Sequence, residues 1–215
     1  WSGAGWCWRG GLFLGLTGAH INGRDALDLG LADRFLRDDQ QDELLDGLLQ
    51  LNWQEQTSMQ LNSLLKALAQ EAVEQQPQAQ WLPRRAQIDE WLDVGDVRCA
   101  WRALSQLREH ADPLFSRAGK TLSEGCPLTA HLVWEQIQRG RHLSLAQVFQ
   151  MEYTISLNCC RHPEFSEGVR ARLIDKDQTP HWHWPDINAI PDAVVQAHFN
   201  KAWEGRHPLA DLSDY

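Results

Sequence analysis

The 215-residue sequence has no apolar run long enough to span a bilayer. It is short of positive charge: 20 Lys and Arg stand against 29 Asp and Glu, for a net charge of −9. A nucleic-acid surface would need a basic face, so no nucleic-acid partner is expected. The five cysteines, Cys7, Cys99, Cys126, Cys159 and Cys160, form no CxxC pair and are odd in number. They are expected to be reduced, intracellular thiols acting as small buried hydrophobes. No GxGxxG, P-loop, G-x-S-x-G or HExxH occurs, so no nucleophile with an oriented base can be named from spacing. No strand-period run rivals the helical ones, and there is no internal repeat. The opening WSGAGWCWRG lacks Met, a basic region and a cleavage site, so it does not read as a signal peptide. Its Trp, Gly and Ser make a poor independent element, and the chain is expected to begin inside a longer protein.

What is present is apolar periodicity at helical spacing. A chain of this length buries roughly 70% of its unfolded surface, enough for a core without staples. In 11–36, Leu12, Phe13, Leu16 and Ala19 recur at helical spacing, and Asn22-Gly23 signals a turn. A short helix over 24–29 follows, stopped by Gly30, and 31–36 reads as a short extended piece. Asp38 and Asp39 suit a helix start. Leu44, Leu45, Leu48 and Leu51 form one face of the next helix, and a further helical run reaches Val73. The Gln-rich stretch 70–80, with a central Pro, is the best linker. Beyond it, helices are expected over 86–93, 96–110 and 127–139, the last opening on Pro127 and stopped by Gly140. The best specified helix starts at Ser144, where Ser144 and Gln147 form a capping box. Val148, Phe149, Met151 and Ile155 are expected to face inward.

The densest chemistry lies in EFSEGVRARLIDKDQTPHWHW, residues 164–184. His181 and His183 would point the same way in an extended segment, which suits a metal. No third or fourth ligand follows at useful spacing, so the simpler reading is a tail anchored by Trp182 and Trp184. Asp175 and Asp177 flank Lys176, and local ion pairing accounts for them. Asp38 and Asp39 read as a solvated helix start. Glu152, close to the apolar side of its helix, is a catalytic candidate or the partner of Arg170 or Arg172. The fold class expected from the residues is mainly α, with few strands.

Two blocks carry a family resemblance. GLFLGLTGAHINGRDALDLGLADRFL resembles the segment after the active-site region in the enoyl-CoA hydratase/isomerase (crotonase) superfamily. RGRHLSLAQVFQMEYTISLNCC with EGVRARLIDKDQTPHWHW is similar to the C-terminal signature of the 3-hydroxyisobutyryl-CoA hydrolase family. Ile88, Asp89, Glu90, Trp91 and Val97 match a further helix of that family. The resemblance is weakest over 40–83.

The resemblance implies the helical C-terminal region of a crotonase-like fold. Residues 1–69 would be the edge of the core, 70–80 a linker and 81–215 the C-terminal helical domain. It implies a CoA thioester hydrolase of valine catabolism, cytoplasmic, or mitochondrial in a eukaryote, with an acyl-CoA as substrate and no covalently bound cofactor. An enoyl-CoA hydratase or isomerase is the rival enzyme, and a non-catalytic helical binding or oligomerisation module the rival of another class. The family's catalytic Glu and oxyanion-hole amides lie upstream of the matching part. No catalytic residue can be placed on this sequence, and the chain alone is expected to be inactive. Lys176 matches a family Lys and is the candidate contact to a CoA phosphate; no metal and no membrane is implied. Leu12, Phe13, Leu14 and Leu16 are expected to face the absent core and to drive self-association.

Overall fold

The structure is a computed structural model that describes residues 7–213. The expectations for the opening residues Trp1–Trp6 fall outside that range. Among the described residues every regular element is helical. The α-helices are α1 Cys7–Thr17, α2 Gly23–Asp28, α3 Gln41–Gln50, α4 Thr57–Glu71, α5 Arg85–Trp91 and α6 Val97–Ser105. They continue with α7 Pro113–Glu124, α8 Pro127–Gly140, α9 Leu145–Arg161, α10 Pro163–Val169 and α11 Asp192–Ala197. A π-helical turn, Arg170–Ile174, extends α10. The mainly α expectation holds.

The chain divides into two compact units, one of residues 20–87 and one of 8–19 with 88–213. The first does not break at 70–80. Its organiser is Asp25, a buried carboxylate on α2. One oxygen of Asp25 accepts from the backbone N–H of Gln80 at 2.7 Å and of Trp81 at 3.0 Å. The other accepts from Asn22 N–H at 3.1 Å and completes a capping box with the Asn22 side chain. Asn22 Nδ2 also donates to the Gln78 carbonyl, at 2.9 Å. The stretch read as a linker is therefore tied to α2 and its cap by hydrogen bonds at Gln78 and Gln80.

The extended piece at 31–36 forms no strand, because the chain folds back onto α2. Gly30 sits at φ +69°, Leu31 N–H donates to Ala26 O at 2.8 Å and Gly30 N–H to Leu27 O at 3.0 Å. This is a Schellman-type stop to α2. α3 pairs with α4 within this unit, yet α3 buries no residue at all.

The second unit holds the larger core. Leu12 and Phe13 are wholly buried and Leu16 nearly so, which overturns the expectation that they face outward. Phe13 meets Phe115 of α7 edge-to-face, with centroids 6.3 Å apart, and Trp91 meets the same ring at 4.7 Å. α7 itself was not expected, although Asp112 caps it by accepting from Leu114 N–H and Pro113 occupies its first turn. A second apolar cluster joins Leu128 and Leu132 of α8, Ile155 of α9, Ile190, and Val195 of α11. The capping box of α9 forms as expected: Gln147 N–H donates to Ser144 Oγ at 3.3 Å, and Ser144 N–H to Gln147 Oε1 at 2.9 Å. Its buried face is Ala146, Thr154 and Ile155; Phe149, expected inside, is exposed. Cys99, Cys126 and Cys159 are half-buried and Cys160 exposed, so Cys160 departs from the buried-thiol expectation.

Candidate functional site

The charged stretch after α9 folds into a clamp centred on Arg170. The spacing of Glu167 and Arg170 puts both on one face of α10 and its extension. Arg170 Nε and Nη2 donate to the two Glu167 oxygens at 2.9 and 2.8 Å, a bidentate pair. Arg170 Nη1 donates to Asp175 Oδ2 and to Asp177 Oδ2, each at 2.6 Å. Nη2 reaches the Thr179 carbonyl as well, at 3.1 Å. One guanidinium thus gathers three carboxylates. It holds the Glu167 carboxyl down to about 2, with His181 N–H as the second cause, and it holds Asp177 below the ordinary carboxylate range. The three carboxylates in turn raise Arg170 itself.

The backbone of the clamp is unusual in three places. The turn Arg170–Ile174 is π-helical, and Asp175 N–H closes it onto Arg170 O at 2.8 Å. Lys176 and Gln178 are left-handed, at φ +56° and +57°. Such conformations persist for side-chain-bearing residues only where surrounding bonds determine them. Here Gln178 N–H returns to Ala171 O at 3.1 Å, and Arg172 Nη1 donates to Gln178 Oε1 at 2.9 Å.

Glu167 and Glu164 carry the clamp into the tail. His181 N–H donates to Glu167 Oε1 at 2.6 Å. His183 and Trp184 N–H donate to the two oxygens of buried Glu164 at 3.1 and 3.2 Å. The Trp182 ring lies over the Gly168 face of α10, where an added Cβ would stand 3.4 Å from it. Trp184 stacks on His162, centroids 5.6 Å apart and planes 26° from parallel. His162 caps α10 by accepting from Glu164 N–H at 3.3 Å, and its ring lies 5.0 Å from that of His198. Burial and the neighbouring His198 push the His162 pKa down, so its neutral form is favoured.

Beside the tail lies a groove of about 380 Å³, lined among others by Cys126, Cys159, His162, Val169, Leu173 and Trp182. It is largely apolar, and burial raises the pKa of both Cys126 and Cys159. These thiols are poor nucleophiles at neutral pH.

The structure brings together some of the residues singled out above and separates others. Asp175 and Asp177 do not pair with Lys176; both turn to Arg170, whose planar fork can hold several carboxylates at once. Lys176 is exposed, and among the described residues it has no ion-pair partner. Glu152 is not paired with Arg170 or Arg172: Gln136 Nε2 donates to its Oε1 at 2.9 Å. Trp182 and Trp184 do anchor the tail, whereas the Glu164 and Glu167 attachments were missed. The H-P-E run that starts α10 and the E-x-x-R spacing that follows were the available signals. Among the described residues no group of three or more His, Cys, Asp or Glu is arranged to hold a metal ion. No helix among them is long and apolar enough to cross a membrane.

A family model described as enoyl-CoA hydratase/isomerase matches residues 7–199. The chain is 31% identical over 197 residues to a mitochondrial 3-hydroxyisobutyryl-CoA hydrolase of Danio rerio, covering 88% of this chain and 49% of the relative. To the Homo sapiens protein of that name it is 27% identical over 189 residues, covering 88% and 48%. Among solved structures it resembles a carnitinyl-CoA dehydratase from Mycobacterium thermoresistibile, with a TM-score of 0.71 and 26% identity over 89% of this chain and 51% of the other. The chain spans about half the length of the curated relatives it matches.

Proposed function

The chain belongs to the enoyl-CoA hydratase/isomerase family, and from that membership we propose that the full-length protein hydrolyses a CoA thioester of the 3-hydroxyisobutyryl-CoA kind, a step of valine catabolism. The similarity to relatives bearing that hydrolase name carries the reading. In hydrolysis, water adds to the thioester carbonyl, the C–S bond breaks, and the carboxylic acid and the CoA thiol leave. The developing oxyanion needs fixed donors, usually the largest contribution to such catalysis, and a carboxylate handles the proton. Both are assigned to the half of the protein outside these 215 residues. By the resemblance, 1–69 belong to the edge of the crotonase-like core and 81–215 to its helical domain, although within this chain α1 groups with the later helices and 70–80 lies inside the first unit. The expected inactivity of the isolated chain follows from that division of labour.

Within the chain, the reading gives Lys176 to a CoA phosphate. An exposed ammonium without a carboxylate partner suits a phosphate as a point charge. Location follows the named relatives: mitochondrial, if the source is a eukaryote. Self-association is retained with a different surface. Leu45 and Leu49 of α3 and Met59 of α4 are more than half exposed, whereas the α1 face is buried.

The resemblance to solved structures named a carnitinyl-CoA dehydratase and an enoyl-CoA hydratase favours hydration as the second reading. One experiment separates the two. The full-length protein is given 3-hydroxyisobutyryl-CoA and, separately, a 2-enoyl-CoA, and free thiol and loss of the conjugated enoyl absorbance are followed. Thiol release from the first substrate is expected. Hydration of the second without thiol release would replace the hydrolase reading, and turnover of neither would favour a non-catalytic module.

A further inference from the structure

The clamp has a charge distribution that local pairing alone does not produce. Glu167, Asp175 and Asp177 are its carboxylates, and Arg170, Arg172 and Lys176 its cations. An exposed Lys between two Asp would ordinarily be screened by them. Here both Asp direct an oxygen to Arg170 at 2.6 Å. Arg172 donates to the uncharged Gln178 amide instead of a carboxylate. The left-handed backbone at Lys176 and Gln178 completes a bracket that closes back on Ala171. All three carboxylates are hydrogen-bonded to one cation, while the ammonium at the tip of the bracket forms no ion pair among the described residues.

We propose that Arg170 is a positioning residue for anion binding: by drawing Asp175 and Asp177 onto its guanidinium, it frees Lys176 to meet a phosphate oxyanion of the CoA ligand. The proposal rests on the assignment of Lys176 made above and adds what makes that assignment work. Lys176 touches the ligand; Arg170 acts only through its hold on the two flanking carboxylates. Without it, Asp175 and Asp177 would be released to neutralise Lys176 and to repel an incoming phosphate.

The test is a set of variants of the full-length protein, with CoA affinity measured by titration calorimetry. Lys176→Ala is expected to weaken CoA binding roughly five-fold, the size of one lost surface charge-assisted bond. Arg170→Gln should weaken it by a similar factor, and by no more when combined with Lys176→Ala. Adding Asp175→Asn and Asp177→Asn to Arg170→Gln should restore binding, because the carboxylates that neutralise Lys176 are then gone. A residue that merely held the fold would not be rescued in this way. Asp175→Asn with Asp177→Asn in the presence of Arg170 should leave affinity within two-fold of the parent, since Arg170 already holds both carboxylates off Lys176 and surface charges without direct contact are screened. This last pair keeps the proposal testable even where Arg170→Gln fails to fold: a several-fold gain in affinity would show that Arg170 does not shield Lys176. Unchanged binding by Lys176→Ala would defeat the Lys176 assignment and the proposal together. Weakening by Lys176→Ala, with Arg170→Gln either silent or not rescued, would defeat the role of Arg170 alone.

Discussion

The α3–α4 pair and the single helix α7 have opposite fates in this protein. α3 and α4 carry Leu44, Leu45, Leu48, Leu61, Leu64 and Leu68 at helical spacing, but α3 buries none of its residues and Leu68 alone is buried on α4. α7 has fewer large apolar residues and buries Phe115, Ala118, Gly119 and Leu122. The difference lies in how closely a neighbour can approach. A Cβ on Gly119 would stand 2.4 Å from the backbone nitrogen of Arg108 and 2.7 Å from the carbonyl carbon of Leu107. That contact is backbone against backbone. The matching approach in the α3–α4 pair, at Gly47, is to the ends of the flexible Leu64 side chain. An apolar stripe makes a helix; a close approach of main chains decides where it is buried.

The comparison breaks most visibly at Phe115. Its ring is wholly buried and meets Phe13, Trp91 and His110 edge-to-face. Phe115→Ala is expected to cost about 3–5 kcal/mol, the range for removing a core Phe. Denaturant unfolding, followed through the second unit, measures it. A loss below 1 kcal/mol would mean that this core is not what holds α1, α5 and α7. Gly119→Ala comes next. The added methyl meets main chain that cannot swing away, so about 1–3 kcal/mol of strain is expected, against a gain in helix propensity of under about 1 kcal/mol. Gly47→Ala is the matched control and should cost less. Equal losses at the two glycines would dissolve the contrast between backbone and side-chain approach.

The sequence made most of the longer helices legible, α7 excepted, and with them the fold class, because the 3.6-residue apolar period survives in a single chain. It also displayed the cap of α9, since Ser144 and Gln147 satisfy each other locally. What could not be read depends on contacts between distant residues. Asp25 looks like an ordinary first-turn acid until Gln80 and Trp81 are seen to donate to it. The clamp failed for a different reason. Lys176 is the nearest cation to Asp175 and Asp177 along the chain, but the π-helical turn brings Arg170 to them instead. Proximity in sequence was a poor guide once the backbone left regular helix. The tail anchors were half legible: Trp182 and Trp184 announced themselves, and the carboxylates beneath them did not.

A third expectation concerns the two anchors of that tail, which acid should separate. His162 has a pKa below its ordinary 6.5. A base with a depressed folded pKa stabilises the fold fully above its unfolded value and loses that contribution as pH falls through the folded one. The stack with Trp184 should therefore weaken below about pH 6.5. Glu167, lowered from 4.5 to about 2 by Arg170 and His181 N–H, contributes above its unfolded value and loses that contribution only as pH falls toward about 2. Amide exchange, corrected for its intrinsic pH dependence, reads both. Trp184 N–H, which donates to Glu164 beside the stack, should lose protection at a higher pH than His181 N–H, which donates to Glu167. Simultaneous loss would make the tail one unit and not two.

The smallest effect is expected on α3, whose leucines recur at helical spacing yet are not buried. Leu49 sits in the leucine-rich run of α3 and is 74% exposed. If the stripe were buried, Leu49→Gln would cost the transfer energy of a leucine, about 1.5–3 kcal/mol. Exposed as it is, the substitution removes little protein–protein contact. Gln and Leu differ only slightly in helix propensity, so stability of the 215-residue chain should change by no more than about 0.5 kcal/mol. Unfolding at two protein concentrations gives the decisive measurement. A small change at both concentrations keeps α3 on the solvent side of the comparison. A loss of 1.5 kcal/mol or more that grows with concentration would mean that copies of the chain cover Leu49 in solution, because linkage makes association stabilise the folded state by mass action. In that case Leu45 and Met59, exposed on the same helical pair, should show the same concentration dependence when replaced. The stripe of α3 would then differ from that of α7 in whose atoms bury it, not in whether it is buried.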